Sequence, residues 1–145
     1  MPALGPVPVW RASHRLFLAG HPRLARALKL VNYLVFRAVL PPEMEVGRDL
    51  RLGHWGLNVV IHPNTTIGDD VYILHGVTIA TDVIVGSPER RYIGDRCMIG
   101  TGAVVLGPGS VGHDARIGAG AIVTRDVTAG TTVVGNPARP IGAAP

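Results

Sequence analysis

From Ile67 onward an aliphatic residue recurs every sixth position: Ile67, Ile73 and Ile79, then, after one interruption, Ile93, Ile99, Val105, Val111, Ile117 and Val123. An α-helix repeats every 3.6 residues, so a period of six is not helical, and it is too strict for unrelated strands. The following residue is often small, as at Gly68, Ala80, Gly94, Gly100, Gly112 and Gly118. Val46 and Leu52 keep the same spacing ahead of the run, whereas the step from Leu52 to Ile61 is nine residues, so about three residues bulge out there. Hexads of this kind have one well-known physical solution, the hexapeptide β-helix. Each hexad gives one short strand and one turn, and three hexads close a triangular coil. The aliphatic residue points inward and stacks on its counterpart about 4.8 Å away in the next coil. Such helices are left-handed, against the usual crossover rule. The expected fold is therefore mainly β, a left-handed parallel β-helix with a short N-terminal helical arm.

Composition agrees with a narrow prism. Hydrophobic residues make up 47% of the 145, yet aromatic residues only 5%, and there are 19 Gly. Ile and Val fit a triangular interior that rings do not, and Gly tolerates tight turns. Collagen is excluded because Gly does not recur every third residue. A single cysteine, Cys97, excludes an internal disulfide framework and a multi-cysteine metal site, and inside a hexad it is expected to act as a small buried hydrophobe.

Residues 1–42 form the arm and residues 43–145 the β-helix with a short C-terminal tail. Between residues 10 and 40, Leu24, Leu28, Val31 and Val35 recur at helical spacing, Gly20-His21-Pro22 breaks the run into two helices, and Pro41-Pro42 terminates it. The spacing predicts an amphipathic helix, an apolar stripe beside a solvated face, with Trp10 packing the arm. The arm carries Arg11, Arg15, Arg23, Arg26, Lys29 and Arg37 and no acid, while the rest of the chain holds eight basic and ten acidic residues. The plain reading is a solvated helix face, with peripheral membrane contact the lesser one. Sparse aromatics argue against a nucleic-acid partner. Neither a signal peptide nor a membrane span is expected, which gives a cytoplasmic location by default.

One coil is interrupted. Between Val85 and Ile93 the segment Gly-Ser-Pro-Glu-Arg-Arg-Tyr reads as a short external loop, and solenoid insertions often sit on a binding face. Arg91 can hold an anionic group through its planar fork. His54 falls at the bulge after Leu52, where a side chain can leave the regular prism, and Trp55 beside it can wall a pocket.

The hexad tract, Gly53-His54-Trp55-Gly56, the run Ile73 to Ile79 with His75 inside it, and the closing Gly135-Asn136-Pro137-Ala138-Arg139 together resemble the serine acetyltransferase branch of left-handed β-helix acyltransferases. The resemblance covers about residues 40–142 and is closest to short members that look like sugar or polysaccharide O-acetyltransferases. It implies an O-acetyltransferase that uses acetyl-CoA as co-substrate on a small-molecule acceptor, a homotrimer with acetyl-CoA between neighbouring prisms, and His54 as the catalytic base. The family's supporting Asp aligns near Val39, and Glu43 or Glu45 stands close in sequence as a substitute. The family's loop His-Pro pair is replaced by Arg91-Tyr92. Trp55, Glu45, Arg91 and His75 are expected on the acceptor side, Glu45 and Arg91 in place of family residues that this chain lacks, and the resemblance implies Ala80, Thr81, Gly102, Ala103, Gly120, Ala121 and Arg139 along coenzyme A. An oxyanion donor is expected from the backbone near Ala80 or Thr81.

A metal site of His54, His62 and His75 is rejected, because the spacing is irregular and no carboxylate set completes it; a γ-carbonic-anhydrase-like protein falls with it. His14, His21 and His113 are read as surface residues. The alternative to an enzyme is a non-catalytic trimeric scaffold or metabolite-binding module.

Overall fold

The computed structural model describes residues 5–82, 84–107 and 109–142. Helices α1 (Pro6–Leu18) and α2 (Pro22–Phe36) come first. Short strands follow: β1 (Glu45–Val46), β2 (Arg51–Leu52), β3 (Val60–Ile61), β4 (Thr65–Ile67), β5 (Tyr72–Ile73), β6 (Thr78–Ile79), β7 (Arg91–Ile93), β8 (Met98–Ile99), β9 (Val104–Val105), β10 (Arg116–Ile117), β11 (Ile122–Val123), β12 (Thr132–Val134) and β13 (Arg139–Ile141). They stack into three sheets, β1-β4-β7, β2-β5-β8-β10-β12-β13 and β3-β6-β9-β11. Consecutive strands up to β12 go to different sheets with parallel pairing inside each, and β13 turns back to pair antiparallel with β12. This is the expected left-handed parallel β-helix.

The register follows the hexads. Ile67 pairs with Ile93, Ile73 with Ile99 and Ile79 with Val105, and the column of Ile93 continues through bridges to Val111 and Val127. All nine hexad aliphatics are at most 2% exposed. Cys97 is buried beside them, its thiol donates to the Gly112 carbonyl (3.0 Å), and burial pushes its pKa up. Val46 and Leu52 are only partly buried because they lie in the first coil, where the arm covers the end of the stack. Coil length varies in three places. The steps from Leu52 to Ile73, from Ile73 to Ile99 and from Ile117 to Val133 take 21, 26 and 16 residues, against 18 from Ile99 to Ile117.

The longest step departs from expectation. The chain leaves the prism directly after Ile79 rather than after Val85, and Ile84 and Val85 are exposed. The loop is organised by buried Asn64. Its amide donates to the carbonyls of Ile84 (2.9 Å), Ser87 and Glu89 and accepts from the Gly86 N–H (3.1 Å).

The arm differs more. α2 ends at Phe36, four residues before the expected stop, because Arg37 turns left-handed, its carbonyl accepts from Asn58 (3.1 Å), and Val39 already bridges Val60 in the first coil. The apolar stripe of α2 is not its buried face: Leu24, Val31 and Val35 are exposed, Leu28 is half-buried, and α2 buries Ala25 and Asn32. The joints are hydrogen bonds. Asn32 donates to Pro6 O (3.0 Å), Ser13 to Ala25 O (2.7 Å) and Trp10 to Pro41 O (2.8 Å). Trp10 is buried as expected and joins the prism's core at its first coil. His14 is not a free surface residue: it stacks on Trp10, and Nδ1 donates to Pro42 O (2.7 Å), which as a carbonyl can only accept.

Candidate active site

The extra length of the first coil is taken up by a short 3₁₀ turn, Gly53–Gly56. Inside it His54 (φ 50°, ψ 44°) and Trp55 (φ 61°, ψ 19°) are both left-handed, and Gly56 follows at φ 68°. Other non-glycine residues with such backbone have a structural place. Arg37 ends α2, Asn58 heads a corner column continued by Gly76, Gly102 and Gly120, and Asp49, Asp70, Arg96 and Asp114 form a second corner column. His54 and Trp55 belong to neither. Each left-handed non-glycine residue costs about 1 kcal/mol or more, and such strain concentrates at functional sites. The turn is held by bonds from Leu57 N–H to His54 O (3.2 Å) and from Val59 N–H to Gly56 O (2.9 Å). Gly53 makes a close approach to the next coil: a Cβ there would lie 2.7 Å from Leu74 Cδ2, so the leucine side chain would have to move to admit one.

The turn lifts His54 into solvent and sets its ring edge-to-face on His75, with centroids 4.8 Å apart. The buried Nδ1 of His75 has no hydrogen-bond partner among the described residues. Trp55 stacks on Phe36 at the end of α2 (centroids 5.7 Å, interplanar 13°), so the arm fixes one side of the turn. His54 and Trp55 open onto a groove of about 800 Å³ between α1 and the first coil. Pro8, Arg11, Ala12 and Arg15 line it from one face of α1, and Asp49, Arg51 and Leu52 line it from the prism.

The remaining predicted residues separate. Glu45 lies on β1, in a different sheet from the strand that leads into His54; Arg90 approaches it at 3.8 Å and Thr66 donates to it at 3.4 Å. Among the described residues no carboxylate is hydrogen-bonded to His54. Arg91 is not a loop residue offering its fork to an anion. It is 1% exposed and points into the prism, where it donates to the carbonyls of Gly107, Gly109 and Leu106 (2.8 Å for the last). The cause is its hexad position. Two residues before an inward aliphatic, the side chain also faces inward, and Arg91 sits there in a stack between Thr65 and Gly109, which lacks a side chain. Burial lowers its pKa from the usual arginine value. Arg90 is likewise engaged, donating to Thr66 Oγ1 (2.8 Å), Thr65 O (3.0 Å) and Glu43 O (3.1 Å).

The small residues lie along one wall, but their amides are already used. Ala80 N–H donates to Val105 O (2.9 Å), Gly102 to His75 O (3.0 Å), Ala103 to Gly100 O (3.1 Å), Gly120 to Thr101 O (2.8 Å) and Ala121 to Gly118 O (3.2 Å). Ala80 therefore has no free amide for an oxyanion. Ala103 and Ala121 are fully buried, since each stands two before an inward valine. Thr81 begins the loop, and Arg139 is exposed on β13. No group of three or more His, Cys, Asp or Glu suited to a metal ion occurs among the described residues, and no helix there is long and apolar enough to cross a membrane. Sequence reasoning missed Asn64 and the place of Arg15 and Arg51 in the groove.

Residues 92–125 match the family described as "Hexapeptide repeat of succinyl-transferase". The chain is 39% identical over 136 residues to a serine acetyltransferase of Mycobacterium tuberculosis, covering 92% of this chain and 59% of that protein. It is 38% identical over 132 residues to a serine acetyltransferase of Helicobacter pylori, covering 91% of this chain and 77% of that protein. The chain thus spans only part of its curated relatives. Among solved structures, serine acetyltransferase from Neisseria gonorrhoeae superposes with a TM-score of 0.88 at 36% identity, over 94% of this chain and 53% of that one. The Brucella abortus enzyme in complex with coenzyme A gives 0.86 at 33%, over 94% and 54%.

Proposed function

The chain belongs to the serine acetyltransferase family, and from that premise we propose that it is an acetyl-CoA-dependent O-acetyltransferase acting on a hydroxyl of a small polar acceptor, a sugar or polysaccharide unit or serine. The observation that carries this reading is the strained turn that holds His54 exposed beside the groove, outside every repeating column of the prism. A scaffold gains nothing from that strain.

In this reading His54 takes the proton of the acceptor hydroxyl as its oxygen attacks the thioester carbonyl. A C–O bond forms, the C–S bond breaks, and the proton passes from the imidazole to the departing sulfur. His75 is a positioning residue: its ring limits the rotation of His54 in place of the carboxylate that relatives are expected to supply, since Val39 stands at the aligned position. Trp55 walls the acceptor pocket. Coenzyme A lies along the wall of Ala80, Thr81, Gly102 and Gly120 by apolar contact, because the amides of Ala80, Gly102 and Gly120 are spent, and Arg139 meets its phosphates; Ala103 and Ala121, expected on that wall, face the prism interior instead. The site is completed in a homotrimer, and a cytoplasmic setting belongs to the same reading.

Free-thiol release from acetyl-CoA, followed across serine, sugars and sugar nucleotides, tests the proposal. His54→Ala is expected to lower kcat about 10²- to 10⁴-fold, in line with loss of a general base. Release that is unchanged in the variant, or absent with every acceptor, would return the chain to the scaffold reading.

A further inference from the structure

The groove beside His54 has an uncompensated charge. Arg11, Arg15 and Arg51 line it against a single carboxylate, Asp49. Arg11 is committed to the fold: its guanidinium donates to Gly47 O (2.8 Å) and lies 5.7 Å from the Trp10 ring centroid. Arg51 stands over the Tyr72 ring (5.0 Å to the centroid). The ion pairs among the described residues involve Arg48, Arg90, Arg96 and His113, so neither Arg15 nor Arg51 is neutralised by a carboxylate there. Both are exposed and stand on opposite walls, one on α1 and one on β2. Pro6, Val7 and Leu52 add apolar surface to the same groove.

From this we infer that the acceptor is anionic, a hydroxylated molecule whose carboxylate or phosphate is held between Arg15 and Arg51 while its hydroxyl faces His54. The inference rests on the transferase reading above and names its substrate class. Guanidinium forks suit both oxyanions, so a uronic acid and a sugar phosphate share the chemistry. The anion is the acceptor's rather than coenzyme A's, because the groove sits at the first coil whereas the wall of small residues and Arg139 runs along the later ones.

The test compares kcat/KM for galacturonate, galactose 6-phosphate and neutral galactose in the full chain. The anionic sugars are expected to exceed the neutral one, and the better of the two identifies the oxyanion. Arg15→Ala and Arg51→Ala should each cut that preference roughly tenfold or more through acceptor KM, and Arg→Lys should restore part of it. Equal use of charged and neutral sugars, or variants that raise KM for acetyl-CoA instead, would overturn the inference. Calorimetric titration with the same sugars separates the two readings. Binding of an anionic sugar that weakens in Arg51→Ala upholds the anion site, and no binding of either anionic sugar overturns it; the transferase reading falls separately, when thiol release is absent with every acceptor of the wider panel.

Discussion

In the prism the hexad side chains that leave solvent are Ile and Val, each covered by its counterpart one coil away; in the arm, α2 buries Ala25 and Asn32 and leaves Leu24, Leu30, Leu34 and Val35 outside. Both regions are apolar in composition, yet only one uses that apolarity internally. A coil meets copies of its own pattern, so a periodic sequence satisfies itself. A helix must meet a different surface, and here the joints between α1, α2 and the first coil are made by Ser13, Asn32 and Trp10 donating to carbonyls. Periodicity therefore identifies the inside of the prism and not the inside of the arm.

The largest effect that separates the two is a pair of truncations. Ile99→Ala, at the centre of the stack, is expected to lower stability by about 2–5 kcal/mol, whereas Leu34→Ala on the outer face of α2 should change it by no more than about 0.5 kcal/mol. Urea unfolding measures both. If Leu34→Ala proves as damaging as Ile99→Ala, the face of α2 is covered in solution and the contrast collapses. Arg91 is the place where the prism behaves like the arm, with a polar side chain inside tying carbonyls. Arg91→Leu leaves the carbonyls of Leu106, Gly107 and Gly109 without that donor and should cost about 2–3 kcal/mol in the same assay, while Arg91→Lys should recover only part of it.

The smallest effect belongs to the exposed corner. Hydrogen bonds from Arg96, and then His113, hold the Asp114 carboxyl well below the usual carboxylate range. A depressed folded pKa contributes stability above the unfolded value of about 4, and that contribution is lost as pH falls through the folded one. Asp114→Asn should therefore make the acid limb of an unfolding profile slightly shallower below pH 4 and leave core packing unchanged. The pair is fully solvated, so a steep change in that limb would show that the corner matters more than its exposure implies.

The hexads, the bulge that carries His54, buried Cys97 and buried Trp10 were all legible because each depends on spacing or residue type alone. The same rule, extended two positions upstream, would have found the rest of the interior. Thr65, Arg91 and Gly109 occupy one hexad position, as do Val77, Ala103 and Ala121, and that position faces inward. Arg91 was misread because it follows a loop in sequence, and proximity to a loop outweighed its place in the repeat. Glu45 was misread for a related reason. It is nine residues from His54, but a triangular coil turns a corner between them and puts it on another sheet. The groove arginines left no periodic trace, since Arg15 and Arg51 meet only when α1 folds over the first coil.

A stack of parallel coils has two open ends, and each exposes unpaired backbone on which a foreign strand can continue. Here both are closed. At one end Trp10 and the arm lie against the first coil. At the other, the chain reverses so that β13 pairs antiparallel with β12, Gly135 O accepts from Ile122 N–H, and Ala138 N–H donates to Ile122 O. Pro140, in the middle of β13, presents no N–H to a newcomer. The chain thus carries its own terminators of growth, and these keep a self-templating architecture from lengthening into filaments.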